Sequence, residues 1–406
     1  MRAAKKTPRV PIPRYRSSAG PAILSQGFRP FFLLAGLWAL AALPLFLAIY
    51  LGHLDPPLAL DPITWHAHEM IFGFAGAALA GFLLTAIPNW TGRLPLQGLP
   101  LLALVGLWVL ARLAMAFGAG HSGLLAAFTL AFPLALLAVA AREIVAGRSW
   151  RNLPILAGLT GIALADALFL AEALGALDGA GAARRLAIAV FIALISVVGG
   201  RIVPSFTHNW LKAHGVTARP PGFGPLDKSA LAITVAALLA WVVAPVAIVS
   251  GMLLALAAVA SLLRLARWQG HRCLAEPLIW VLHLAFAWVP LGLALAAVAA
   301  LADAALMPAA IHAFTAGAMG TMILAVMSRA TLGHTGRAIT TRPGLSLAIA
   351  LVTLGALTRV ASVFAGEFSV LLLLVAAGAW AGGYGAFLAA CGPMLLTPRP
   401  TKERQT

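Results

Sequence analysis

The run Trp65-His66-Ala67-His68-Glu69-Met70 puts two imidazoles and a carboxylate side by side at the start of a long apolar stretch. An ionisable side chain at membrane depth costs on the order of 2.5 kcal/mol or more unless it has a partner or a function. Imidazole is a good ligand for iron and copper alike, so metal or haem binding is the chemistry this cluster suggests. At about 100° per residue on a helix, His66 and His68 point nearly oppositely, whereas His66 and Met70 share a face. The two histidines therefore serve two centres, or one ligates while the other supports it. The bland alternative is an interfacial cluster anchored by Trp65 and wetted by lipid headgroup water.

His312 opens a second apolar stretch and is followed by Ala316, Gly317, Gly320 and Thr321, a small-residue face that admits a flat cofactor or a neighbouring helix. One histidine from each of two facing helices is a way for a bundle to clamp haem iron axially. His283, His334 and His208 lie in or beside three other apolar stretches and are candidates for a second metal site, with His214 in a polar loop the weakest of the set. Arg201, Arg329 and Arg337 are candidates to pair haem propionates, or they mark helix ends. Asp166 and Glu172 share one apolar stretch and suit a proton or ion path, which keeps a transporter in view. No GxxxxGK[ST] phosphate loop, cysteine cluster or HExxH zinc motif is present, and the two cysteines, Cys273 and Cys391, have no paired spacing.

The elements that must position these residues follow from composition. In 406 residues, 62% are hydrophobic and 10% charged, and the mean hydropathy is +0.96, so a water-soluble globule of this size could not be covered. An all-α polytopic membrane protein is expected. With roughly 20 apolar residues per span, about twelve transmembrane helices fit, at 31–51, 66–88, 99–117, 124–145, 153–176, 185–204, 229–244, 246–266, 277–300, 307–330, 344–364 and 369–389. Residues 1–30 form a basic arm without a cleavable signal core, 31–390 the helical domain and 391–406 a tail.

The net charge of +16 would suggest nucleic acid in a soluble chain. Here the basic groups fall in every second gap, from the N-terminal arm through Arg93, Arg148, Lys212, Arg272 and Arg342 to Arg404, while Asp55, Asp61, Asp178, Asp303 and Glu367 fill the others. That alternation places both termini in the cytoplasm and excludes a nucleic-acid partner. It also sets His66, His68 and His312 near the outer face and His208, His283 and His334 near the inner one. A short echo at an interval of four helices suggests three four-helix units: His66-Ala67 to Thr91-Gly92-Arg93 parallels His312-Ala313 to Thr335-Gly336-Arg337, and Pro204-Ser205-Phe206-Thr207-His208 resembles Pro88-Asn89-Trp90-Thr91-Gly92.

The segments Trp65 to Phe74, Gly81 to Arg93, His312 to Arg337, Gly27 to Phe32 and Arg201 to Thr207 together closely resemble the hallmark segments of the NnrS family, and the likeness extends over essentially the whole chain. The resemblance implies a bacterial inner-membrane protein carrying haem, expected as haem b, and copper, linked to nitric oxide metabolism, nitrosative stress and denitrification. Carried over by motif, the ligand histidines are His66, His68, His312 and His334, with His283 and His208 as companions. The architecture is also similar to haem-copper oxidase main subunits, with three four-helix units and haem ligands on helices two and ten. It departs from them in lacking histidine in span seven and in the apolar run of span six, so an oxidase-type copper site cannot be built. The expectation is a haem protein that binds nitric oxide and reduces or detoxifies it with electrons from quinol or another donor. The alternative is a transporter or sensor that protects without turning nitric oxide over.

Overall fold

The computed structural model describes residues 20–400, and among them the regular structure is entirely helical. Twelve helices are long and apolar enough to cross a bilayer: α1 Phe28–Tyr50, α2 Pro62–Thr91, α3 Leu99–Phe117, α4 Ser122–Ala146, α5 Trp150–Ala173, α6 Ala182–Ala213, α7 Pro225–Val243, α8 Ile248–Ala266, α9 Pro277–Leu301, α10 Ala304–His334, α11 Pro343–Phe364 and α12 Gly366–Leu396. The chain is a multi-pass membrane protein. Large side chains such as Leu239, Val249, Leu262, Leu347 and Leu371 are more than half exposed on the rim. Such a surface suits lipid, where helices satisfy their own backbone groups. Residues 1–19 of the basic arm and 401–406 of the tail lie outside the described residues.

The number of spans agrees with the sequence, and the ends correct it. α1 begins at Phe28, inside the expected arm, and α12 runs to Leu396, inside the expected tail. α6 continues to Ala213 and α10 to His334, so His208 and His334 are helical residues and do not lie beyond their spans. Helices continue until their last carbonyls meet water or a cap, whereas an apolar ruler stops at the first polar residue. The start of α2 shows the same rule, because Asp61 accepts hydrogen bonds from the amides of Ile63 and Thr64 at 3.1 Å and Pro62 occupies the first turn. α7 and α8 are separate helices, parted by Ala244-Pro245-Val246-Ala247.

Successive helices pack as neighbours, and α12 closes on α1. α2, α10, α9 and α6 are the most enclosed, with 72%, 67%, 56% and 50% of their most apolar windows buried against 28–44% for the rest. α10 touches both α2 and α6, so these three surround the axis of the bundle. Each of the three contains a π-helical segment: Glu69–Ala75 in α2, Ile195–Gly199 in α6 and Ala313–Gly320 in α10. Such segments widen the helix and are frequent at functional sites. The sequence echo at four-helix intervals thus has a backbone counterpart.

Candidate functional site

The end of the bundle that the charge pattern places outside holds a cleft of about 240 Å³ between α1, α2, α10, α11 and α12. His66 and Met70 line it from α2, on the one face expected of them, and His312, Thr315 and Ala316 line it from α10. The His312 Nδ1–H donates to the Pro308 carbonyl at 2.9 Å, which leaves Nε2 with a free lone pair. The His66 ring stacks on Phe46 at 4.1 Å and 21°, and its Nδ1 is buried with no hydrogen-bond partner among the described residues. The π-helical segment of α10 begins immediately after His312. Two imidazoles with an available nitrogen, apolar walls from Phe46, Phe74 and Trp380 and a cation, Arg359, therefore share one concavity. That donor set fits a haem: nitrogen ligands for iron, a hydrophobic slot for the ring and a guanidinium for a propionate.

His68 is elsewhere. It is fully buried, with Nε2 3.0 Å from Asp166 Oδ1 and Nδ1 3.2 Å from Glu69 Oε1, and Arg112 Nη1 lies 3.2 Å from Glu69 Oε2. Both ring nitrogens are engaged by carboxylates, so neither is turned to a metal. With both acids ionised, both bonds are made together when both ring nitrogens carry hydrogen, and the cluster of two carboxylates, one guanidinium and one imidazolium is then neutral. The carboxylates answer the desolvation cost that singled out this segment. Gly73 makes the cluster possible, since a Cβ there would strike the Arg112 guanidinium and lie 3.1 Å from Glu69 Oε2.

The inner imidazoles do not converge. His283 is bonded to the Thr207 hydroxyl at 3.2 Å and the Ile279 carbonyl at 3.2 Å, while His334 packs against the Phe28 ring at 5.5 Å. His208, on α6, is half-buried. Among the described residues no three His, Cys, Asp or Glu side chains stand together as a metal-ligand set. His334, Arg201 and Arg329 instead line an inner vestibule, without Arg337. Gly317 and Gly320 pack against Trp288 and Trp380, so the close-packing alternative applies to them and only Ala316 faces the cleft. Glu172 accepts a hydrogen bond from the Ala183 amide at 2.9 Å, as a cap of α6.

Arg359, Phe46 and Arg112 are site residues that sequence reasoning misses. A signal was available, because Arg112 and Arg359, like Arg184 and Arg185 at the start of α6, lie near the ends of their helices that the charge pattern places outside, against the pattern that the remaining basic residues obey.

A model of the NnrS protein family matches residues 22–399, nearly the whole chain. The chain belongs to the NnrS family. A search of curated proteins finds no match. Within this NnrS chain, the hallmark run Trp65 to Met70 serves two structures at once: His66 and Met70 face the outer cleft, and His68 and Glu69 build the buried charge cluster behind it.

Proposed function

We propose that this NnrS protein holds a b-type haem in the outer cleft and binds nitric oxide there, in the bacterial inner membrane with both termini cytoplasmic. The observation that carries the proposal is the pair His66 and His312 on one cleft, with His312 fixed by Pro308 and His66 carrying an unpaired Nδ1. Ferrous haem supplies the affinity for nitric oxide and a route for single electrons. The protein's part is to orient the ligands, exclude water and choose the coordination number. His312 is the more firmly held imidazole, since its second nitrogen is bonded to backbone. His66 is held by stacking on Phe46, so it would be the less firmly oriented of the two imidazoles if a haem were bound. Arg359 offers the charge that a propionate needs.

Reduction or detoxification of nitric oxide with electrons from quinol or another donor extends this reading, and family membership is its support. Copper rests on the same support; the three inner imidazoles do not fit it as a group, and His334 is the one that opens on a cavity. The alternative of a transporter or sensor without turnover relied on Asp166 and Glu172, which here neutralise His68 and cap α6.

The experiment is a reduced-minus-oxidised absorption spectrum of detergent-purified protein, with iron and copper analysis, before and after nitric oxide. A b-type band that shifts with nitric oxide is expected, lost in His312→Ala and converted to a five-coordinate form in His66→Ala. Haem whose bands ignore both substitutions removes this cleft from the reading, and haem that ignores nitric oxide leaves electron transfer as its role.

A further inference from the structure

On the bundle axis, two spaces adjoin below the outer cleft. A chamber of about 100 Å³ lies between α2, α5, α6 and α10, walled mainly by Phe, Leu, Ile, Val and Met side chains with no charged group. A vestibule of about 580 Å³ lies at the inner end and is lined by Arg151, Arg201, Arg329 and His334, with no acidic residue on its wall. The two adjoin, with Phe32, Phe82, Ile155, Val198, Ile202 and Val326 lining both.

Arg151 and Arg201 are exposed on this wall, and Arg329 is half-buried. Among the described residues none of them makes an ion pair with a carboxylate, in contrast to Arg93, Arg112 and Arg264. Arg329 lies over the Phe206 ring at 4.4 Å and donates Nη1 to the Leu278 carbonyl at 3.2 Å, but its buried Nε has no hydrogen-bond partner. Glu276 attracts Arg329 from beyond ion-pair distance and accepts at Oε1 from the Thr341 hydroxyl and the Leu278 amide. A guanidinium with a buried, unpartnered nitrogen such as Arg329 Nε favours an acceptor, and the planar forks of Arg151, Arg201 and Arg329 match carboxylate and phosphate oxygens. A small inorganic anion would answer the charge and leave the apolar chamber walls uncovered. A neutral lipid chain would cover the walls and leave the charge.

We infer that chamber and vestibule form one binding site for an amphipathic oxyanion, its apolar body between α2, α6 and α10 and its head among Arg151, Arg201 and Arg329. The same chemistry is carried by a long-chain fatty acid and by the propionate edge of a porphyrin. The site is separate from the outer cleft, which meets the chamber only at Met319.

The test uses the full-length protein in a neutral maltoside, with equilibrium dialysis of radiolabelled palmitate and of hexadecanol, the same chain with an uncharged head. At least tenfold tighter binding of palmitate is expected, with the preference lost in Arg201→Gln/Arg329→Gln and weakened in Arg201→Gln alone, whose exposed side chain is not needed for folding. Val198→Trp, on the shared wall, should weaken palmitate and hexadecanol alike. Competition with metal-free protoporphyrin IX separates the sources: displacement of palmitate at lower concentration than palmitate itself assigns the site to a porphyrin, and the reverse order to an acyl acid. Equal binding of acid and alcohol, or an acid preference that survives in both arginine variants, overturns the proposal. The outer-cleft haem spectrum is unchanged in these variants, so failure here is distinguishable from failure of the haem reading.

Discussion

Arg29, on the first helix, holds the end of the last: its Nη1 donates to the carbonyls of Met394, Leu395 and Thr397 at 3.1, 2.9 and 2.7 Å. These are carbonyls that the C-terminus of α12 would otherwise leave without a helical partner. A buried cation is also favoured there by the helix dipole. One side chain thus closes the ring of helices between residues more than 360 positions apart in sequence.

Arg29→Gln should therefore loosen α12 from α1. Charge-assisted hydrogen bonds contribute about 1.5–3 kcal/mol, and a lower thermal midpoint in detergent, with earlier proteolysis after Leu396, is the expected result. Wild-type stability in this variant would show that the apolar contacts of α1 with α12 suffice alone.

His68→Gln should cost about 3–5 kcal/mol, because it leaves Asp166 buried without its partner and Glu69 facing Arg112 alone. The haem spectrum of whatever folds should match the wild type. A double variant, His68→Gln with Asp166→Asn, should recover part of the loss. A changed haem spectrum in His68→Gln would instead return His68 to the ligands.

Gly73→Ala should lower stability by about 1–3 kcal/mol through displacement of Arg112. Gly106→Ala, where an added Cβ meets nothing within 4 Å on an α3 face, should be neutral or slightly stabilising. Thermal melts of the two variants side by side test the close approach.

Cys273 and Cys391 are both fully buried and unpaired. In the loop before α9, burial raises the Cys273 thiol above its ordinary value, so at neutral pH it is protonated and shielded. Neither cysteine should react with a maleimide until the protein unfolds. Labelling against denaturant then reports unfolding, and rapid modification of native protein would contradict the packing around Leu211 and Ile279.

The spans were legible because a bilayer imposes a length and because charge alternates across it, two constraints that each residue reports locally. His66 and His312 were legible for the same reason, since depth along a helix is readable from its ends. The role of His68 was not. Its second partner, Asp166, stands 98 residues away, and only the packing of α2 on α5 brings them together. The inner trio was legible only in depth: among the described residues His283, His334 and His208 do not stand together as one ligand set, and depth was the only coordinate the sequence supplied. Arg359 was readable as a cation on the wrong side, yet its cleft depends on how α11 leans on α10.

The π-helical segments carry a consequence for register. A π-helical turn holds one residue more than an α-turn, and each residue on an α-helix turns the chain by about 100°. In α2 the segment Glu69–Ala75 separates His66, which faces the outer cleft, from Leu79 and Leu83, which face the chamber. Removing a single residue from that segment would relax it to a regular helix and swing everything on one side of it by more than a quarter turn. The imidazole and the chamber wall could then no longer both face inward, so one inserted residue fixes which way the two halves of the helix look.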